Sequence, residues 1–267
     1  MTPHERITSR DNRRLVQVRK VRDGEISEQI FVEGRRLVAE ALNADIDIIE
    51  CFVAAGFRDT NLLGAIAKRS IPMTELPEKL FPSIADTNNS QGIIVIALRP
   101  DPPGKFIDFR FQDASSTLPL IVFLNEINNP SNLGAIVRTA EAAGIAGVVV
   151  SPRSADAYSP KALRSAMGSG FRLRIWTNVE LDEALALAIS EKAVVVAADA
   201  RSGTDHTNFD WTSPTLLVFG SEAHGLTPAD LAKIDKSVAI PMMSGVESLN
   251  LAVSAGVILF EARRQNS

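Results

Sequence analysis

The chain predicts an α/β protein in which a parallel-sheet C-terminal domain follows a smaller α/β unit. Three observations carry that reading. Near-continuous Val/Ile/Leu runs at 120–124, 147–150, 193–197 and 216–219, with a shorter one at 238–240, alternate with helix-like segments. Parallel strands covered on both faces need unbroken apolar runs of this kind. A stretch of three prolines and a glycine, Arg99-Pro100-Asp101-Pro102-Pro103-Gly104, follows the apolar run 92–98 and marks a break between domains. Finally, Gly, Pro, Asn and Ser stand where apolar runs end and helices begin, at junctions that expose backbone N–H and C=O groups. The boundaries fall at 1–99 for the first unit, 100–117 for a linker and 118–267 for the second unit.

Taken in order, Ser9 caps a basic helix over 10–22, with Leu15, Val18 and Val21 as its apolar stripe. A strand at 30–32 ends at Gly34, a helix covers 35–42, a strand 48–54 and a helix 61–68, giving a three-layer α/β unit. Beyond the linker, helical segments at 133–143, 161–167, 181–189, 228–234 and 249–264 separate the five apolar runs. Ligands of open parallel sheets bind beyond the carboxyl ends of the strands.

Composition narrows the function classes. Apolar content of 45% with 22% charge fits a soluble chain with a real core. Cys51 stands alone, so it forms no internal disulfide and no zinc cluster, and reads as a buried thiol in a reducing cytosol. His4, His206 and His224 show no metal spacing. No signal-peptide core and no membrane-length apolar run is read, so a cytoplasmic protein without metal or membrane is expected. The net charge of −4 hides two basic patches. Residues 1–22 hold Arg6, Arg10, Arg13, Arg14, Arg19, Lys20 and Arg22 against Glu5 and Asp11, and 158–174 hold Lys161, Arg164, Arg172 and Arg174 with no acid. Either patch alone reads equally as a solvated helix face; both beside a ligand site point to a polyanion.

Three blocks in the second unit concentrate the chemistry. In Asn129-Pro130-Ser131-Asn132-Leu133-Gly134, Pro130 fixes a turn, Ser131 or Asn132 can cap, and Gly134 allows close approach of backbone. Arg138 follows two turns later; a buried Arg there needs an anionic partner, with Glu222 and Glu141 as candidates. The second block, Gly220-Ser221-Glu222-Ala223-His224-Gly225-Leu226, is a glycine-bounded turn in which Glu222 either anchors Arg138 or caps the next helix. His224 reads as a turn residue rather than a base. In the third, Ile240-Pro241-Met242 leads to Ser248-Leu249-Asn250, with Ser248 as N-cap of the last helix and Asn250 in its first turn. Neither a G-x-S-x-G elbow nor a G-x-G-x-x-G fingerprint occurs.

In order and spacing these blocks resemble motifs 1, 2 and 3 of the SpoU (TrmH-like) branch of the SPOUT RNA methyltransferases, over residues 120–264. The run from Ser159-Pro160-Lys161 to Phe171-Arg172-Leu173 resembles the segment between motifs 1 and 2. Phe31-Val32-Glu33-Gly34, and Asp86-Thr87 through Gln91-Gly92, resemble the L30e-like substrate-binding domain that precedes this catalytic domain. The resemblance implies a deep trefoil knot, where pattern alone selects an unknotted doubly wound sheet. It implies S-adenosyl-L-methionine held largely by backbone at Gly220, Ile240 and Leu249, and a homodimer through the C-terminal domain. It places Arg138, Asn132, Glu222, Ser248 and Asn250 at catalytic motif positions. The implied reaction is methylation of a ribose 2′-OH, most simply in 23S-type ribosomal RNA. Arg138 would grip a phosphate and polarise the hydroxyl, Glu222 would hold Arg138, and Asn132, Ser248 and Asn250 would orient ribose and loop. Arg10, Arg13, Arg14, Arg35, Lys161 and Arg164 are then the expected contacts to RNA. Asn129 stands where many members have Asp, and Ala223 where Gly is common. A tRNA ribose methyltransferase, a catalytically silent RNA-binding or assembly protein, and an α/β nucleotide-binding protein without an RNA partner stay open as alternatives.

Overall fold

The computed structural model describes residues 7–101, 104–111 and 118–267. His4, Glu5 and Arg6, and positions 102–103 and 112–117 of the expected linker, lie outside the described residues. The chain forms two compact units, Met1–Pro100 with Tyr158–Phe171, and Asp101–Ala157 with Arg172–Ser267. The first break falls in the proline-rich stretch. The expected continuous second unit over 118–267 is interrupted, because Tyr158–Phe171 groups with the first unit.

In the first unit α1 (Arg13–Arg22) starts later than the sequence suggests. Its N-cap is Asn12, whose side chain accepts the Arg14 N–H at 2.9 Å, while the Ser9 hydroxyl accepts the Asp11 N–H in the preceding turn. Leu15, Val18 and Val21 are buried as expected and join Phe31, Phe52, Phe81 and Ile94 in one core. Each such side chain contributes about 1.5–3 kcal/mol of burial free energy. The elements that follow are β1 (Gln29–Glu33), α2 (Arg35–Asn43), β2 (Ile48–Ala54), α3 (Thr60–Lys68), β3 (Met73–Leu76) and β4 (Ile93–Leu98). The sheet order is β1-β4-β2-β3, with β4 antiparallel to β1 and β2, and β3 parallel to β2. The edge strand β3 was not foreseen: Met-Thr-Glu-Leu is short, half polar, and closed off by Pro72 and Pro77. Cys51 lies in β2, fully buried, and burial pushes its thiol up to about 12.

The second unit runs β5 (Leu118–Leu124), α4 (Pro130–Ala143) and β6 (Ile145–Val150), and α5 (Pro160–Ala166) lies in the stretch that groups with the first unit. It continues with β7 (Ile175–Thr177), α6 (Leu181–Ser190), β8 (Val194–Ala198), β9 (Thr215–Phe219), α7 (Pro228–Leu231), β10 (Lys236–Val238) and α8 (Leu251–Gln265). The six strands are all parallel, in the order β10-β8-β9-β5-β6-β7. β9 is buried at every position and β5 at its last five, as their unbroken apolar runs require. β7 escapes sequence reading because only Ile-Trp-Thr pairs. β10 lies earlier than the expected 238–240: the Ala239 N–H donates to the Thr204 carbonyl, and the Ala239 carbonyl accepts from His206. From β5 the chain builds outward through β6 and β7, then crosses to the other side of β5. The order therefore reverses between β5 and β9, where parallel sheets open a crevice for ligands.

Candidate active site

A cleft of about 600 Å³ opens at the carboxyl ends of β8, β9 and β10. Its walls are the loops at 198–201, 220–226 and 239–242, the approach to α8 at 247–251, and Asn132 on α4. Seven of the eight expected catalytic and cofactor residues meet here: Asn132, Gly220, Glu222, Ile240, Ser248, Leu249 and Asn250.

Gly220 is required by close approach. A methyl group on it would lie 2.1 Å from the Gly225 carbonyl carbon and 2.2 Å from the Leu226 nitrogen. The turn closes on itself, with the Ser221 N–H donating to the Gly225 carbonyl at 3.1 Å and the Gly225 N–H donating to the Ser221 carbonyl at 2.9 Å. His224 sits in this turn with its N–H donated to the Ser221 hydroxyl, consistent with a turn residue.

Three polar side chains tie the motif loops together. The Glu222 carboxylate accepts the Asn128 and Asn129 N–H groups and the Asn132 side-chain amide, each at 3.2 Å. The Asn132 side-chain oxygen accepts from the Asn250 amide at 3.1 Å. The Asn250 oxygen in turn caps α8, accepting the Ala252 and Val253 N–H groups. Asn250, and not Ser248, is therefore the N-cap of the last helix, because Ser248 lies two residues too early to reach its first turn. Partial burial opposes the Glu222 charge, yet hydrogen bonds from its own backbone, Asn128, Asn132 and Asn129 hold the carboxyl below its ordinary range.

Three expectations are corrected. Glu222 does not hold Arg138; it holds the backbone that enters α4. Glu141, the other candidate partner, pairs with Arg172 at 2.6 Å. Arg138 is exposed rather than buried, lies outside the cleft lining, and has no ion-pair partner among the described residues. The cap of α4 is Asn129, whose side chain accepts the Ser131 N–H at 3.0 Å, rather than Ser131 or Asn132. Asn thus fulfils here the capping role an Asp would have, without the charge.

The cleft also holds residues that the motif blocks do not include. Asp199 and Arg201 follow β8 and form an ion pair at 3.1 Å. The strand-end rule applied to the run at 193–197 would have found both.

The expected RNA contacts all belong to the first unit. Arg14 pairs with Glu50, Arg35 with Asp59 at 2.7 Å and Arg164 with Asp86 at 2.6 Å, whereas Arg10, Arg13 and Lys161 are exposed. Among the described residues no cluster of three His, Cys, Asp or Glu side chains could hold a metal ion, and no helix is long and apolar enough to cross a membrane.

The geometry is that of a parallel α/β domain with a cleft at the carboxyl ends of its strands, and comparison with known proteins agrees. Residues 119–260 match the SpoU rRNA Methylase family, and residues 31–103 match the domain described as RNA 2′-O ribose methyltransferase substrate binding. An uncharacterized tRNA/rRNA methyltransferase of Mycobacterium ulcerans (strain Agy99) is 32% identical over 260 residues, covering 95% of this chain and 83% of the relative. The crystal structure of AdoMet-bound rRNA methyltransferase from Sinorhizobium meliloti aligns with a TM-score of 0.83 at 27% identity over 97% of each chain. The AdoMet complex of the SpoU methyltransferase AviRb from Streptomyces viridochromogenes aligns with a TM-score of 0.82 at 26% identity, over 96% of this chain and 98% of that one. The chain belongs to the SpoU methyltransferase family.

Proposed function

We propose that this chain is an S-adenosylmethionine-dependent RNA methyltransferase that methylates a ribose 2′-OH in 23S-type ribosomal RNA. The hydrogen-bonded chain Glu222–Asn132–Asn250, which binds all three motif loops around one cleft, is the observation that carries this reading. The cleft fits the cofactor by its lining: Gly220, Ile240 and Leu249 all stand in its wall, and Gly220 leaves no room for a side chain. The deep trefoil knot that the family resemblance implies belongs to the same proposal.

S-adenosylmethionine supplies a methyl group on a cationic sulfonium, so the protein must align the ribose oxygen with it and stabilise charge developing on that oxygen. Asn132 and Asn250 are held against each other and set the shape of the cleft mouth. Glu222 fixes the entry to α4 and so the position of Asn132. Ser248 lies in the same wall, free to orient the ribose.

Arg138 has the right chemistry for the adjacent phosphate, since its guanidinium presents a planar fork of N–H donors that matches phosphate oxygens. It polarises the hydroxyl rather than acting as a base, and the proton leaves to phosphate or water. Its place outside the cleft is explained by a homodimer. Beside it on α8, Val253, Val257 and Phe260 form an exposed apolar stripe, with Val253 and Phe260 about half exposed. Thr139, the neighbour of Arg138 on α4, packs toward Gly256 of α8, from the same helix as that stripe. A second copy covering the stripe would carry Arg138 of each protomer toward the other's cleft.

Ribosomal RNA is preferred because similarity to the Sinorhizobium meliloti rRNA methyltransferase runs through both units. The test is transfer of label from methyl-tritiated S-adenosylmethionine to RNA of a strain lacking the gene, with large rRNA, small rRNA and tRNA counted separately. Label in large rRNA, recovered as a 2′-O-methyl nucleoside, is expected. Label in tRNA moves the substrate assignment, and label on a base overturns the ribose assignment.

A further inference from the structure

We propose that the first unit, as part of its reading as the RNA-binding unit, seats one unpaired nucleobase in a cleft walled by Phe57, Arg58, Asn88, Asn89 and Gln91. The proposal rests on the reading of the chain as an RNA methyltransferase. The cleft encloses about 860 Å³, a volume in the ordinary range of small-ligand sites.

Its floor is rigid. Arg58 donates to the Ala55 and Phe57 carbonyls at 2.8 and 2.9 Å, which locks the turn that presents the Phe57 ring. Behind the ring runs Gly92 at φ +74, where a methyl group would lie 3.5 Å from the Phe57 ring and 3.4 Å from the Ala54 methyl. The opposite wall is the segment 88–91. Gln91, itself at φ +56, accepts the Arg35 N–H at 2.9 Å, which pins that wall to the start of α2. Asn88 and Asn89 are exposed, and among the described residues neither side-chain amide has a hydrogen-bond partner.

Charge decides which part of a nucleotide fits. Arg35 donates twice to Asp59, at 3.0 and 2.7 Å. The Glu78 carboxylate lies over Gly56, where a methyl group would come within 2.5 Å of its oxygen. Two arginines are thus offset by two carboxylates, and the cleft is neutral overall. That is a poor cradle for a phosphate, which needs excess positive charge. Paired donors and acceptors on free amides, beside an aromatic ring, match the edge and face of a base.

The test measures binding of fluorescein-labelled decamers of rA, rC and rU, and of an abasic decamer with the same phosphates, to the full chain. Phe57→Ala and the double variant Asn88→Ala/Asn89→Ala are compared with wild type, and S-adenosylmethionine affinity is followed by calorimetry as a check on the second unit. Phe57→Ala is expected to weaken the base-bearing decamers roughly tenfold without changing the salt slope or the abasic affinity. The exposed amide pair, whose loss leaves the core intact, should change the ranking of rA, rC and rU. Unchanged affinity and ranking in both variants overturns the proposal, as does equal weakening on the abasic decamer. If wild type binds no RNA yet binds S-adenosylmethionine, the RNA reading itself fails, and the nucleobase site with it.

Discussion

The mouth of the cleft and the outer face of the α4–α8 pair lie within one unit, about two helical turns apart along α4. They are built in opposite ways. At the mouth, Glu222, Asn132 and Asn250 satisfy one another and the ends of two helices. On the outer face, Arg138 has no partner among the described residues, and Val253, Val257 and Phe260 stand open to solvent. A satisfied polar network preorganises a site; an unsatisfied cation beside an apolar stripe is half of one. The difference supports the proposal that one chain completes the cleft while a second copy is needed to bring an arginine to it.

The largest expected effect comes from the outer face. Val257→Asp with Phe260→Asp should give a monomer by analytical sedimentation and lower methyl transfer on the order of 100-fold, with the cofactor affinity little changed. A variant that stays dimeric, or a monomer with full activity, would break the comparison. Gly220→Ala attacks the mouth instead. Its added methyl meets backbone at 2.1 Å, so cofactor affinity should fall more than about tenfold by calorimetry while the dimer persists. The two variants should thus separate cleft from surface.

How far the sequence reaches follows the same line. The central strands are legible because β5, β6 and β9 are buried along most of their length and carry unbroken apolar runs at 120–124, 147–150 and 216–219. β3 and β7 are not, since Met-Thr-Glu-Leu and Ile-Trp-Thr pair at edges where no apolar run is demanded. The residues of the cleft were legible by motif, but their partners were not. Whether Glu222 meets Arg138 or Asn132 depends on which side of α4 faces β9, and local pattern leaves that side undetermined. For the same reason sequence does not settle whether Arg138 is buried: Ala135 and Thr139 beside it are compatible with either face. Asn12, Asn129 and Asn250 all outcompeted neighbouring candidates for the cap, each with its side-chain oxygen on a backbone N–H of the first helical turn.

The smallest effect sharpens the role of Glu222. Its carboxyl titrates below the ordinary value of 4.5 in the folded chain, so its contribution is complete above that value and is lost as pH falls through the lowered pKa. Glu222→Gln should therefore cost about 1 kcal/mol at neutral pH, and the gap in Tm from wild type should close below pH 4.5. A gap that is constant with pH would mean that the carboxylate charge plays no part in holding α4.

Subunit complementation tests the central claim most directly. Arg138→Ala keeps an intact cleft and lacks the arginine; Asn250→Ala keeps the arginine and lacks part of the cleft. Each alone should be nearly inactive. Mixed in equal amounts and allowed to exchange, they should recover about a quarter of the wild-type rate, because half the dimers are then mixed and each holds one whole site. A mixture as inactive as its components, with exchange shown to occur, would mean that Arg138 serves its own cleft and that the site is not shared between two copies.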